Sequence, residues 1–401
     1  MKRQEDFDKK NMEEALGECL PRLFLWYREN RRILPWREDP TPYHVWVSEI
    51  MLQQTRVEAV KRYYDRFLAA LPDIASLAAC PEDTLMKLWE GLGYYRRVRN
   101  MQLAAQEICA KYDGRFPEAP EEIRALPGIG DYTAGAIASI AFAKPYAAVD
   151  GNVCRIFARF AADPRDIGKD STKREYARVI TSLFTSDLFA DLSAGYSEDF
   201  PADFPQDGKN PNPYGTFAQA LMDLGATVCL PNTAPLCESC PLFDACRSAH
   251  GANPFDYPVK RDAKPRKIEH LDVLLLTDGE HVVIQKRPAK GLLAGLYEFP
   301  NVEHVDKNED KLLCIARVYS LEPLQIKQLG NTRHIFTHKE WSMTGYLIRV
   351  AEPEWSDGKQ PVQKIPGTDA LFVKRGALEN QYAIPSAFSY FSEIIRTKLD
   401  L

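Results

Sequence analysis

Nowhere in the 401 residues does an apolar run approach the eighteen or so residues that a membrane helix needs. The opening segment, MKRQEDFDKKNMEEALGE, is charged throughout and has no apolar core, so a secretory signal is not expected either. The nine cysteines are therefore expected to stay reduced in a cytoplasmic compartment. A surplus of basic charge is also missing. At a net charge of −5 the chain does not announce a nucleic-acid binder, and any hold on DNA must come from local clusters. Such clusters stand at Arg28, Arg31, Arg32 and Arg37, at Arg96, Arg97 and Arg99, and at Lys260, Arg261, Lys264, Arg266 and Lys267. Each is equally readable as a solvated face.

What is present is an apolar fraction of 45% and a charged fraction of 27%, the balance of a folded chain whose length calls for two or three domains. From about residue 12 to 250 the pattern is almost entirely helical. Val45 to Leu71 places Val47, Ile50, Met51, Val57, Val60, Tyr64, Phe67 and Leu71 at helical spacing, and shorter periods recur at Leu85–Leu92, Ala104–Tyr112, Tyr132–Phe142 and Val153–Ala161. Ser186 to Gly208 carries six acids and no Lys or Arg, and is expected to be a surface insertion. Gly251 to Lys267 is rich in Pro and Lys and reads as a linker. Beyond it the period changes to that of strands. Leu271–Leu276 and His281–Lys286 flank an Asp278-Gly279 turn, Glu340–Val350 is a further strand, and Pro385–Lys398 a closing helix. The expected domains are 1–250, with lobes at about 36–145 and at 12–35 plus 146–250, then a linker at 251–267 and an α+β domain at 268–401.

Three helical motifs carry chemistry. In Leu126-Pro127-Gly128-Ile129-Gly130-Asp131, Gly128 and Gly130 permit positive φ and close backbone approach, and the helix that follows offers free N–H groups to a phosphate. This suits a helix–hairpin–helix that grips a DNA backbone, or an ordinary tight turn between helices. Glu49 has Val45, Trp46, Leu52 and Gln53 as helical neighbours, so its carboxyl is expected to rise in pKa as a general acid does, unless it merely edges the apolar stripe beside a cation. Asp150, at the start of the period Val153–Phe160, reads as an N-cap whose backbone N–H bonds keep it ionised. One neutral and one anionic acid is the division of labour that breaking a glycosidic bond requires.

Cys229, Cys237, Cys240 and Cys246 lie within eighteen residues, and Pro241 follows the third. With only one short Cys-x2-Cys pair, their spacing favours a [4Fe–4S] cluster over zinc. The other five, Cys19, Cys80, Cys109, Cys154 and Cys314, are expected to be small buried hydrophobes.

Taken together, LPGIGDYTAGAI at 126–137, VDGN at 149–152 and the run of four cysteines resemble the endonuclease III superfamily of DNA glycosylases. LPWR at 34–37, WVSEIMLQQTRVE at 46–58, GLGYYRRVRN at 91–100 and GLLAGLYEFP at 291–300 resemble its adenine-specific MutY branch. The resemblance implies a mainly α, two-lobed helix–hairpin–helix glycosylase with a four-cysteine cluster loop, followed by a Nudix-like α+β domain. It also implies excision of adenine opposite 8-oxoguanine or guanine in double-stranded DNA, by a monomer working ahead of abasic-site repair proteins. In such an enzyme Glu49 protonates adenine N7, Asp150 stabilises the oxocarbenium ion, and Asn152 orients that site. Arg37 and Gln219 surround the flipped base, while Gln54 and Tyr94 fill or wedge the duplex. Phe336, Thr337 and His338 read 8-oxoguanine where the family has Phe-Ser-His. Tyr132 stands where strand-cutting relatives carry a Schiff-base Lys, so base excision without efficient β-elimination is expected. The chain departs from the family in a first Cys gap of seven rather than six, in Tyr297 for Trp, and in Thr41 for Asp. The sequence after Pro300 has no Glu-rich R-E-x-x-E-E box, which argues against a metal-dependent pyrophosphatase. A thymine-glycol-type lyase and a non-catalytic iron–sulfur DNA-binding protein are the competing readings.

Overall fold

The structure, a computed structural model, describes residues 9–187, 189–190, 212–260, 265–304, 309–356 and 360–397. Most of the expected acidic insertion, and Arg261 and Lys264 of the linker, lie outside those residues. The chain divides into two compact units, one of Met1–Ala79 with Asn100–Asp262, the other of Cys80–Arg99 with Ala263–Leu401.

In chain order the helices up to the linker are α1 (Lys9–Asn30), α2 (Pro42–Leu52), α3 (Val57–Ala70), α4 (Ile74–Ala79), α5 (Glu82–Leu88), α6 (Arg96–Lys111), α7 (Pro120–Ala125), α8 (Asp131–Phe142), α9 (Gly151–Ala161), α10 (Asp170–Phe184), α11 (Pro213–Thr227) and α12 (Arg247–His250). The single period anticipated over Val45–Leu71 is two helices. Gln54 adopts a left-handed φ of 57° between α2 and α3, a conformation that ends a right-handed helix. From Val228 to Cys246 the backbone is loop with short 3-10 turns rather than helix.

In the first unit α8 is the hub. Thr133 to Ile140 are buried, and the run is apolar on every side, as a helix enclosed by its neighbours must be. Its small residues set the spacing. A Cβ on Gly135 would stand 2.1 Å from the Ala147 carbonyl oxygen, so only glycine lets the strand-like segment before Asp150 lie against this helix. Asn212 fixes α11 beside it: the side-chain oxygen caps the Gly215 N–H (2.8 Å), while its amide donates to the last-turn carbonyls of Ser139 (2.8 Å) and Ile140 (2.9 Å). A second core joins Leu16, Leu20, Leu23 and Phe24 of α1 to Phe157 of α9, Tyr176 and Ile180 of α10, and Leu221 and Leu224 of α11. The start of the linker is pinned to this unit, because Arg159 donates to the carbonyls of Pro254 (3.0 Å) and Tyr257 (3.1 Å), and Ile167 N–H to that of Val259 (3.1 Å).

The second unit is built on a mixed sheet of β1 (Lys267–Thr277), β2 (His281–Lys286), β3 (Tyr297–Glu298), β4 (Asn301–Glu303), β5 (Pro323–Ile335), β6 (Lys339–Val350), β7 (Val362–Lys364) and β8 (Leu371–Lys374). The order is β5-β6-β1-β2-β8-β7, with β1 and β6 parallel from Lys267↔Lys339 to Thr277↔Arg349. The two-residue side-chain period of β1 feeds two cores: Val273 and Leu275 face one, Leu274 and Leu276 the other. Helix α13 (Glu309–Val318) covers the second face through Leu312 and Ala316, and α15 (Ser389–Thr397), which follows α14 (Arg375–Gln381), covers the first through Phe391, Ile394 and Ile395. The segment 80–99 is tied in by polar contacts. Lys286 reaches Asp83 (2.8 Å), Lys87 reaches the Tyr382 carbonyl (3.0 Å), and Glu90 accepts from the Ile384 N–H (2.8 Å).

Candidate active site

The two acids singled out in the sequence share one cleft. It has a volume of about 1340 Å³, lies wholly within the first unit, and is lined by Arg37, Glu49, Gln54, Gly130, Tyr132, Asp150, Asn152 and Gln219 among others. Thr41 caps α2 by accepting from the His44 N–H (3.2 Å), so the threonine performs the capping role open to an aspartate there. Farther along, that helix delivers Glu49 to the cleft wall at 5% exposure. Tyr132, in the first turn of α8, donates its hydroxyl hydrogen to Glu49 Oε2 at 2.5 Å. Burial pushes the Glu49 carboxyl up to about 7; the Tyr132 hydrogen bond opposes the rise, the Asp150 charge adds to it, and the Arg37 cation opposes it.

Asp150 is the N-cap of α9, with extended backbone (φ −97°, ψ −172°) and Oδ1 accepting from the Val153 N–H at 2.8 Å. Asn152 Nδ2 donates to Oδ2 at 2.9 Å. The expectation that these bonds keep its pKa low needs correction. Burial outweighs the N–H groups of Val153 and Asn152 and the Arg155 cation, and the carboxyl lies above its ordinary value. Asp150 still has several donors where Glu49 has one hydroxyl, so a proton entering the pair settles on Glu49.

Arg155 supports this corner from below. It donates to Asn152 Oδ1 (2.9 Å), to the Gly225 carbonyl (2.7 Å) and, through Nε, to the Cys229 carbonyl (2.8 Å). A Cβ at Gly225 would sit 2.6 Å from Asn152 Cβ, so α11 closes tightly on the same loop. Across the cleft, Arg37 is held by Asp223, and Gln219 accepts from the Tyr27 hydroxyl at 2.6 Å. The sequence did not draw attention to Asp223 or Tyr27. Their signal was an acid one helical turn past Gln219 in an otherwise apolar run, and a lone tyrosine on the α1 core face.

The hairpin before α8 separates its two glycines. Gly128 has φ 78°, and a Cβ there would lie 2.6 Å from that of Asn100, so conformation and packing both demand glycine. Gly130 does not need a positive φ: its backbone is extended (φ −97°, ψ 179°) and a Cβ would meet nothing within 4 Å.

All four clustered cysteines are free thiols, partly buried on one loop. The loop is closed by Leu236 N–H to the Val228 carbonyl (2.9 Å), and Arg159 Nη1 stands 3.4 Å from Cys229 Sγ. Burial raises the thiols of Cys237, Cys240 and Cys246, and the charge of Cys229 adds to the rise of each. Among the described residues no three His, Cys, Asp or Glu side chains stand close enough to share one metal ion. Of the scattered cysteines only Cys19 and Cys154 are buried; Cys80 and Cys109 are half-buried, and Cys314 is exposed at the surface of α13, contrary to expectation.

The remaining expected residues lie in the second unit. Tyr94 is exposed with φ 48°, and its ring lies over Arg97, which also faces Trp89. Phe336, Thr337 and His338 form the turn between β5 and β6, closed by Phe336 N–H to the Lys339 carbonyl (2.8 Å). The Phe336 ring meets Trp341 edge-on at 4.9 Å, and Thr337 Oγ1 lies 3.2 Å from the Tyr94 hydroxyl. No helix among the described residues is long and apolar enough to cross a membrane.

Comparison with known proteins gives two family matches. Residues 47–181 match the HhH-GPD superfamily base excision DNA repair protein, and residues 272–393 match the NUDIX domain. The chain is 34% identical over 385 residues to the adenine DNA glycosylase of Rattus norvegicus, covering 82% of this chain and 70% of that one. It is 32% identical over 403 residues to the adenine DNA glycosylase of Homo sapiens, covering 86% and 68%. Among solved structures, a thermostable thymine-DNA glycosylase aligns with 60% of this chain and 99% of its own at 24% identity and a TM-score of 0.46.

Proposed function

The chain belongs to the adenine DNA glycosylases, DNA-binding N-glycosylases of base excision repair, and from that premise we propose that it excises adenine paired with 8-oxoguanine, or with guanine, by acid-assisted hydrolysis. The observation that carries the proposal is the meeting of Glu49, Tyr132 and Asp150 at one cleft. Adenine in a duplex is shielded by stacking, so it must be flipped into the cleft before its glycosidic bond can be reached.

The chemistry then follows from the two carboxyls. With its pKa raised to about 7, Glu49 carries a proton over much of the physiological range. It passes that proton to adenine N7, and the electron pair of the C1′–N9 bond leaves with the base. Asp150, anionic and held by Asn152 and Val153, faces the resulting cationic sugar; water adds at C1′ and gives up a proton to the Glu49 carboxylate left by the first step. Tyr132 has no amine for a Schiff base, so the strand is left uncut at an abasic site, which repair proteins downstream would take over. Arg37 and Gln219 supply donors to the edges of the flipped base. Gln54 and Tyr94, both at strained left-handed φ, suit insertion into the duplex, and Gly128 and Gly130 suit the grip on its backbone. In the second domain, Phe336 seats the turn that offers the Thr337 hydroxyl and His338 to 8-oxoguanine.

Cys229, Cys237, Cys240 and Cys246 would hold a [4Fe–4S] cluster. The single short Cys-x2-Cys pair on one compact loop favours that group over one zinc ion, and Arg159 beside Cys229 offers a cation to the anionic site. When bound, the cluster supplies rigidity to the loop that Arg155 joins to Asn152.

The test is a single-turnover assay on duplexes carrying A opposite 8-oxoguanine, G or T, with and without alkali. The wild type should release adenine opposite 8-oxoguanine and G, with strand breaks visible only after alkali. Glu49→Gln should bind the mispair normally and excise roughly 10²- to 10⁴-fold more slowly. Prompt nicking without alkali, or equal rates for the two proteins, would refute the mechanism.

A further inference from the structure

Asp223 is completely buried behind Arg37, a residue of the cleft lining, and its carboxylate has all its acceptor sites filled. It accepts from Arg32 N–H (3.0 Å) and Arg32 Nε (2.7 Å), and from Arg37 Nη1 (2.8 Å) and Nη2 (3.0 Å). Burial works to raise its pKa, but the two guanidiniums more than offset that and hold it below the ordinary carboxylate range.

The consequence lies in which donors of Arg37 are used. A guanidinium has five N–H donors in a fixed plane. Asp223 takes the end fork, one hydrogen each from Nη1 and Nη2, and the second Nη1 hydrogen goes to the Arg32 carbonyl (3.2 Å). Left over, among the described residues, are Nε–H and one Nη2–H, the side fork of a group that lines the cleft. One helical turn before Asp223, Gln219 is pinned in a similar way. Tyr27 donates to its carbonyl oxygen and so leaves the amide hydrogens for a ligand.

We propose that Asp223 is the positioning residue of the base pocket: by holding the end fork of Arg37 it presents the side fork as two fixed donors to an acceptor nitrogen on the flipped purine. This rests on the cleft's receiving adenine, as proposed above. Asp223 touches no substrate itself. Its effect passes through Arg37, and a pocket wall of fixed donors favours adenine, whose N1 accepts, over guanine, whose N1 carries a hydrogen.

The experiment compares binding of the full chain to two duplexes. One carries 8-oxoguanine opposite 2′-fluoro-2′-deoxyadenosine, which resists cleavage; the other carries it opposite a tetrahydrofuran abasic analogue. Asp223→Asn should weaken the first complex roughly tenfold or more and leave the second within about twofold, so the loss depends on the base. Asp223→Glu, which retains the carboxylate, should restore most of it. Arg37→Lys should show the same base-dependent loss, and adding Asp223→Asn to it should cost little more. Equal losses on both duplexes, or additive losses in the double variant, would mean that Asp223 merely stabilises the fold, and would overturn the inference. Should Asp223→Asn fail to fold by circular dichroism, Arg37→Lys decides: unchanged binding to the fluoroadenosine duplex overturns the inference. Adenine release by the wild type is measured alongside, so that failure of the enzymatic proposal is distinguished from failure of this one.

Discussion

Replacing Tyr132 with Phe removes one hydroxyl from the wall of the cleft and nothing else. That hydroxyl donates to Glu49 at 2.5 Å and is one of the influences that hold the Glu49 carboxyl down against burial. A hydrogen bond to an ionised group contributes about 1.5–3 kcal/mol, and one pKa unit corresponds to about 1.4 kcal/mol. Losing it should therefore raise Glu49 by roughly one to two units from its value of about 7. The sign follows from the active form being protonated Glu49. Excision persists below the Glu49 pKa and is lost as pH rises through it, so a higher pKa moves the alkaline limb to higher pH. The acid limb, where Asp150 takes a proton and can no longer face a cation, should stay nearly fixed. Single-turnover rates from roughly pH 5 to 9.5 would give both limbs, read as properties of the coupled pair. Their position matters and their height does not, because the variant also loses some orientation of Glu49. An alkaline limb that stays put, or moves toward lower pH, would refute the assignment of Glu49 as the acid under Tyr132's control.

Three further outcomes are expected. Gly128→Ala should lose about 1–3 kcal/mol of stability in thermal melts, from a left-handed residue and a collision with Asn100, whereas Gly130→Ala should melt like the wild type and bind duplex DNA more weakly. Cys240→Ser should lower the iron and acid-labile sulfide content of purified protein well below four each per chain, measured by colorimetric assay; a full complement would show that this thiol holds no cluster. Thr337→Val, which keeps the shape but removes the hydroxyl beside Tyr94, should reduce the preference for 8-oxoguanine over guanine opposite A several-fold, about 1 kcal/mol, with little change in the rate on G:A.

Much of the site was legible because its residues announce themselves locally. Asp150 precedes an apolar period as a capping residue must, and it is the cap of α9. Glu49 stands in a helix of large apolar side chains, and it is buried. The change of period after the linker located β1, β2 and β6 because a sheet with cores on both faces imposes its own pattern. What escaped depends on partners distant in sequence or on backbone dihedrals that no residue type betrays. Gln54 interrupts the helix at a position with no Gly or Pro to mark it. Asp223 looks like any solvated acid until two arginines nearly two hundred residues earlier fold onto it. The segment 80–99 has the helical texture of its neighbours in the chain, and only Asp83, Lys87 and Glu90 reveal its attachment to the sheet unit. The Pro-rich linker reads as free, yet Arg159 fastens its first half.

The parallel pairing of β1 with β6 begins at Lys267↔Lys339, one residue after the turn that carries Thr337 and His338. Glu269 receives Lys339 Nζ (2.7 Å) and Trp341 Nε1 (3.0 Å), and Trp341 is the ring on which Phe336 rests. A fragment trimmed to the 272–393 homology boundary would thus discard the strand segment and the anion that buttress the Phe336–His338 turn. Such a piece could still form its hydrophobic layers and yet hold that turn loosely, a defect that would be misattributed to the loop instead of to residues 267–271, cut from the opposite end.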